Sequence, residues 1–142
     1  MAISQSSNLM SRTAKLFRAI GHAIIDTPKV YSSEIPSFVA ELRLGPTSIR
    51  TLISCIEQEE IVTSTQLALA IYPIVHSLAD RMVDKAIIVT SAAFSTDARE
   101  LGDQARIQLY SFEELQVSIV DFSEYYNWPL KLDHMLRWKN RV

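Results

Sequence analysis

The sequence has one cysteine, Cys55, among 142 residues. An internal disulfide is therefore impossible, and so is a zinc centre built on several thiolates. Glycine is scarce at three residues and proline numbers five, which excludes collagen-like, linker-like and low-complexity chains. No charge of one sign dominates: 14 basic residues stand against 16 acidic ones, a net charge of −2. There is no overall basic field to gather nucleic acid, so any contact with phosphates must come from a local patch. Long hydrophobic runs are missing too. Residues 19–25 and 67–78 fall short of the roughly 20 apolar residues that span a bilayer. Residues 1–12 are polar and serine-rich, without the apolar stretch of a secretory signal. These absences predict no membrane span and a cytoplasmic location. Nor is there a glycine-rich phosphate loop, a Gly-x-Ser-x-Gly elbow or a His-Glu-x-x-His motif.

What the sequence does have is apolar surface. Hydrophobic residues make up 48% of the chain, enough to offset the entropy of ordering a single domain over residues 1–142. Residues 11–20 read as an amphipathic helix, with Ala14, Leu16, Phe17 and Ile20 on one side and Arg12, Lys15 and Arg18 on another. Gly21 ends it, and residues 22–25 form a short strand closed by Asp26-Thr27-Pro28. Residues 37–44 alternate as a strand. Phe38, Ala40, Leu42 and Leu44 share one face; Val39, Glu41 and Arg43 share the other.

Beyond Gly45-Pro46, the spacing of Ile49, Leu52, Ile53 and Ile56 predicts a helix over 48–58, capped by Thr47. Thr63-x-x-Gln66 has the form of a capping box before an apolar helix interrupted by Pro73. Residues 85–90 read as a strand buried on both faces. Ser95 and Asp97 open a helix over 96–105, residues 107–110 are a further strand, and Ser111 caps a helix over about 112–122. The alternation predicts an α/β fold of three layers, with a central mixed sheet of about four to five strands and helices on both faces. An aromatic helical tail over about 123–142 carries Tyr125, Tyr126, Trp128 and Trp138. So much apolar surface is either core packing or a partner surface, and it makes a homo-oligomer or docking to a larger protein credible.

Glu41 and Arg43 carry the most chemical interest. A carboxylate and a cation two apart on one strand face can serve a metal-dependent phosphodiester site. The carboxylate holds a hard cation such as Mg²⁺, and the cationic side chain orients water or stabilises phosphate charge. Taken alone, such a pair is most often a solvated surface pair. A second acid would come from Asp26, at the end of the preceding strand, with Glu34 as the fallback.

The stretch from Ala86 through Val89-Thr90-Ser91, Phe94-Ser95-Thr96 and Ala98 to Leu101 adds to this, as does Ile107-Gln108-Leu109-Tyr110 followed by Glu113-Glu114-Leu115. With Glu41-Leu42-Arg43 upstream, residues 12–118 resemble the Mrr-like branch of the PD-(D/E)xK nuclease superfamily, the restriction-endonuclease-like proteins. The resemblance implies a three-layer nuclease fold and a DNA substrate. It also implies Mg²⁺ at Asp26 and Glu41, with Arg43 in the place of the family's lysine.

The departures fall on the catalytic positions. Arginine does not readily lose its proton and prefers bidentate partners. The family's aspartate lies on the second strand of a three-strand meander, and the interval from Gly21 to Glu41 is short for that meander. No acidic residue lies between Ser11 and Ile20, where many members carry one, and residues 45–81 look like two helical segments in place of one. Two functions therefore stand side by side. One is an active Mg²⁺-dependent DNA endonuclease using Asp26, Glu41 and Arg43. The other is a degenerate relative that binds DNA or assembles with protein, in a defence or mobile-element setting. Arg12, Lys15 and Arg18 are the candidate DNA contacts, although a solvated helix face explains them equally well.

The remaining reactive side chains have plainer readings. His22, His76 and His134 lack metal-ligand spacing, and Cys55 sits among Leu52, Ile53 and Ile56 as a buried structural thiol.

Overall fold

A computed structural model describes residues 2–25 and 35–118. Chain order is α1 (Ala2–Ala19), β1 (Ala23–Ile25), β2 (Ser37–Leu44), β3 (Thr47–Ile56), α2 (Ser64–Ala79), β4 (Lys85–Thr90), α3 (Thr96–Ala105) and β5 (Gln108–Ser111). A further helix, α4, begins at residue 112 and is described to residue 118. The strands form one five-stranded sheet in the order β1-β2-β3-β4-β5. Strands β1 to β3 are an antiparallel meander, while β3, β4 and β5 run parallel. The parallel joins are made by α2 and α3, the crossover helices that such joins require.

The sheet separates two apolar layers. On one face, Val39, Leu52, Ile56 and Ile88 pack with Leu67, Ile71 and Ile74 of α2 and Ala98 of α3. On the other, Phe38, Ala40, Ile53 and Val89 pack with Ala14, Phe17 and Ile20 of α1 and with Phe112 and Leu115 of α4. Ile88 and Val89, both fully buried, point to opposite layers. This is the doubly covered β4 that its unbroken apolar run implies.

The segment 47–56 is a strand, where its spacing predicts a helix. Leu52 to Ile56 are all buried. An apolar run covered on both faces has no exposed positions to reveal its period, so helix and strand spacing both fit it. The residues that decide are the β-branched Thr47, Ile49, Thr51, Ile53 and Ile56, which favour extended backbone. The turn agrees with them. Leu44 pairs with Thr47 across the two-residue loop Gly45-Pro46. Gly45 has φ +65°, and the proline ring keeps the next φ negative, the pattern of a type II′ hairpin. With this correction residues 45–81 hold one helix, as the nuclease resemblance requires.

Local capping set the other helices where the sequence placed them. Thr63 Oγ1 accepts the N–H of Gln66 at 3.3 Å, and Ser95 Oγ accepts that of Ala98 at 3.1 Å. Helix α1 begins at residue 2 instead of 11, and Leu9, 2% exposed, extends its apolar stripe backwards. Among the described residues no helix is long and apolar enough to cross a membrane.

Candidate functional site

Glu41 lies in the middle strand of the meander, β2, on the sheet face that α2 and α3 cover. Across from it in register stands Arg50 of β3, and on the other side Ala23 of β1. Both carboxylate oxygens are taken. Arg50 Nε donates to Oε2 at 3.0 Å, and Arg43 Nε donates to Oε1 at 3.4 Å. Glu41 is 9% exposed, whereas the side chains of Arg43 and Arg50 are 81% and 53% exposed. The arrangement is a shielded carboxylate under two guanidinium groups that reach outward. The Arg50 hydrogen bond holds the Glu41 carboxyl below the usual glutamate range; burial opposes this and Arg43 adds to it.

Arg50 is fixed from behind as well. Its N–H donates to Asp84 Oδ2 at 2.9 Å, and its carbonyl accepts the Asp84 N–H at 2.8 Å. Sequence reasoning missed Arg50 because it lay inside the misread helix. Once residues 47–56 are taken as extended, the hairpin register alone sets it opposite Glu41.

The meander therefore closes one strand later than the sequence suggests. Glu41 and Arg43 sit on its second strand, and the third strand is β3. That strand carries neither a carboxylate nor a lysine, and Arg50 is its one charged residue. At its far end Ser54, 2% exposed, faces Ser37 of β2 with their hydroxyls 2.8 Å apart. Asp26 and Glu34, the proposed companion acids, lie outside the described residues, as do His134 and the tail over 123–142.

A Mg²⁺ ion needs several oxygen ligands, usually one or two carboxylates with open positions for water and phosphate. Among the described residues no group of three or more His, Cys, Asp or Glu side chains could hold a metal ion. Both oxygens of Glu41 already face cations. The described residues do not fit the ion that the family resemblance implies.

The other candidates are placed as follows. Arg12, Lys15 and Arg18 are all exposed on α1. The Arg12 guanidinium lies 4.1 Å over the Phe112 ring, a cation–π contact that ties α1 to α4. Cys55 is buried, and burial pushes its thiol up to about 12, far from a thiolate nucleophile at neutral pH. His22 stands edge-on to Phe17 at 5.3 Å, and burial lowers its pKa. A pocket of about 530 Å³ opens beside it, lined among others by Leu42, Thr51, Lys85 and Tyr110. That pocket is on the α1 face, across the sheet from Glu41, and its described lining contains no carboxylate.

Comparison with known families agrees with this architecture. The Mrr_cat model, described as restriction endonuclease, matches residues 10–119. That span takes in the whole sheet, α2, α3 and most of α1. No curated protein and no solved structure gives a significant match. By the extent of that family match and the mixed sheet it covers, the chain belongs to the Mrr_cat restriction endonuclease family.

Proposed function

We propose that this chain is a restriction-endonuclease-like domain that no longer cleaves phosphodiesters and works in DNA binding or protein assembly. The observation that carries this reading is the state of Glu41. Both of its oxygens are held by guanidinium groups, and among the described residues it belongs to no group of three or more His, Cys, Asp or Glu side chains that could hold a metal ion. Metal-dependent cleavage needs a carboxylate free to ligate the ion and a group that can position or deprotonate water. An arginine, protonated at any working pH, does not take the second part. The strand after Glu41 supplies neither acid nor lysine. What remains is a scaffold with exposed cations: Arg43 and Arg50 at the hairpin end, and Arg12, Lys15 and Arg18 on α1. These suit contacts to a phosphate backbone without cutting it. A defence or mobile-element setting follows from the nuclease family.

The alternative is an active Mg²⁺-dependent DNA endonuclease using Asp26, Glu41 and Arg43, and the family match favours it. One assay separates the two. Supercoiled plasmid is incubated with the purified protein and Mg²⁺ or Mn²⁺, beside Glu41→Ala. The expected result is no nicking by either protein. Nicking by the wild type that disappears in Glu41→Ala establishes the endonuclease instead.

A further inference from the structure

The pocket beside His22 lies on the α1 face, and nothing in the reading of Glu41 uses it. Its volume of about 530 Å³ falls within the roughly 300–1,000 Å³ of small-molecule sites. Its floor is the sheet itself, because alternate residues of each strand turn to the same face. The register sets Leu42 beside Ile49, Thr51 beside Lys85 and Ile87 beside Gln108. All six line the pocket, and Phe17 of α1 and Leu115 of α4 line it with them.

Its charge is one-sided. Lys85 is exposed and makes no ion pair among the described residues. The adjacent carboxylate, Asp84, accepts from the Arg50 N–H instead. Burial lowers the pKa of His22, the carbonyls of Phe17 and Ile20 oppose it, and the charge of Lys85 adds to the lowering. The imidazole is therefore neutral at pH 7. Lys85 is left as the one charge in the described lining, which is otherwise apolar or neutral and polar.

We propose that this pocket binds a small organic monoanion, an apolar body with a single carboxylate, its body on the sheet floor and its carboxylate on Lys85 Nζ. The apolar floor gains by covering a hydrocarbon or aromatic body. A cationic ligand finds no counter-charge there and meets Lys85 as a repulsion. A phosphate monoester carries about two charges at neutral pH, more than one lysine matches. One carboxylate matches it, and Thr51, Gln108 and Tyr110 supply further hydrogen-bond donors from the same lining. The site is separate from the nuclease reading, which rests on Glu41 across the sheet.

The test is isothermal titration of the full chain with octanoate, beside octanol and octylamine as neutral and cationic probes of the same length. Octanoate is expected to bind one per chain, and octylamine about tenfold or more weakly. Lys85→Met keeps an unbranched side chain and drops the charge. It is expected to cost octanoate about the same factor while leaving octanol unchanged. Ile49→Trp fills the pocket and is expected to remove binding of both. Should that variant lose its wild-type circular dichroism, Leu44→Trp makes the same test from a lining residue that is 44% exposed. Failure of the wild type to bind octanoate overturns the proposal. So does equal binding of all three probes, which describes a non-selective apolar surface. Octanoate binding that is indifferent to Lys85→Met, or that survives the filling variant, places the ligand elsewhere and overturns it too.

Discussion

Glu41 and Arg50 show how one register decides the character of a site. A nearly buried carboxylate is costly unless charge or hydrogen bonds compensate it. Here two arginines do so, and in doing so they occupy the atoms a metal would use. Because the folded-state pKa of Glu41 is depressed, the pair's stabilisation is fully present above the unfolded-state value of 4.5. It is lost as pH falls through the lower folded-state value. Arg50→Met should therefore flatten the fall of melting temperature on acidification below that value, relative to wild type. Thermal unfolding across that pH range reads this directly, and parallel curves refute the role given to Arg50. The pairing was only half legible. Glu41 and Arg43 stand out in the alternation of 37–44, and their shared face is where the structure has it. Arg50 was invisible, because finding it needed the strand assignment of β3.

At the scale of elements, legibility followed how local the signal was. The Thr63 and Ser95 caps use side chains within three residues of their targets, so the starts of α2 and α3 could be read off. Strand β4 declared itself by an unbroken β-branched run. Strand β3 could not do the same, since its evidence is pairing with β2 across a Gly-Pro turn easily taken as a stop. The contact between α3 and β5 was equally hidden. A Cβ added at Gly102 would lie 2.6 Å from Leu109 Cδ1, so this helix approaches the strand only because the side chain is absent. Gly102→Ala should lower stability by about 1–3 kcal/mol, the usual cost of overpacking. Leu109→Val in the same chain should recover part of that loss. Urea unfolding of the single and double variants checks both; an unaltered midpoint in Gly102→Ala would mean that Leu109 simply moves aside.

Across the whole molecule the charges balance, so nothing in the net charge of −2 pulls DNA toward it. Affinity for a phosphate backbone must come from a few placed cations. Lys15 and Arg18 are the cleaner test pair on α1, since Arg12 also holds Phe112. Replacing both by alanine should reduce the slope of log affinity against log salt by about two, roughly one counterion per contact. A fluorescence-anisotropy titration over several salt concentrations measures it, and an unchanged slope removes α1 from the DNA-facing surface. The sheet's margins bear on how such a molecule meets its own kind. The outermost described strands, β1 and β5, are three and four residues long, and the longer strands lie inside. A neighbour seeking to extend the ladder at β1 or β5 finds only three or four residues to pair with, the kind of short edge by which sheet proteins avoid stacking into fibres. Under crowding these two described edges should therefore contribute little to cross-β aggregation, and contacts made there have to rely on side chains more than on backbone.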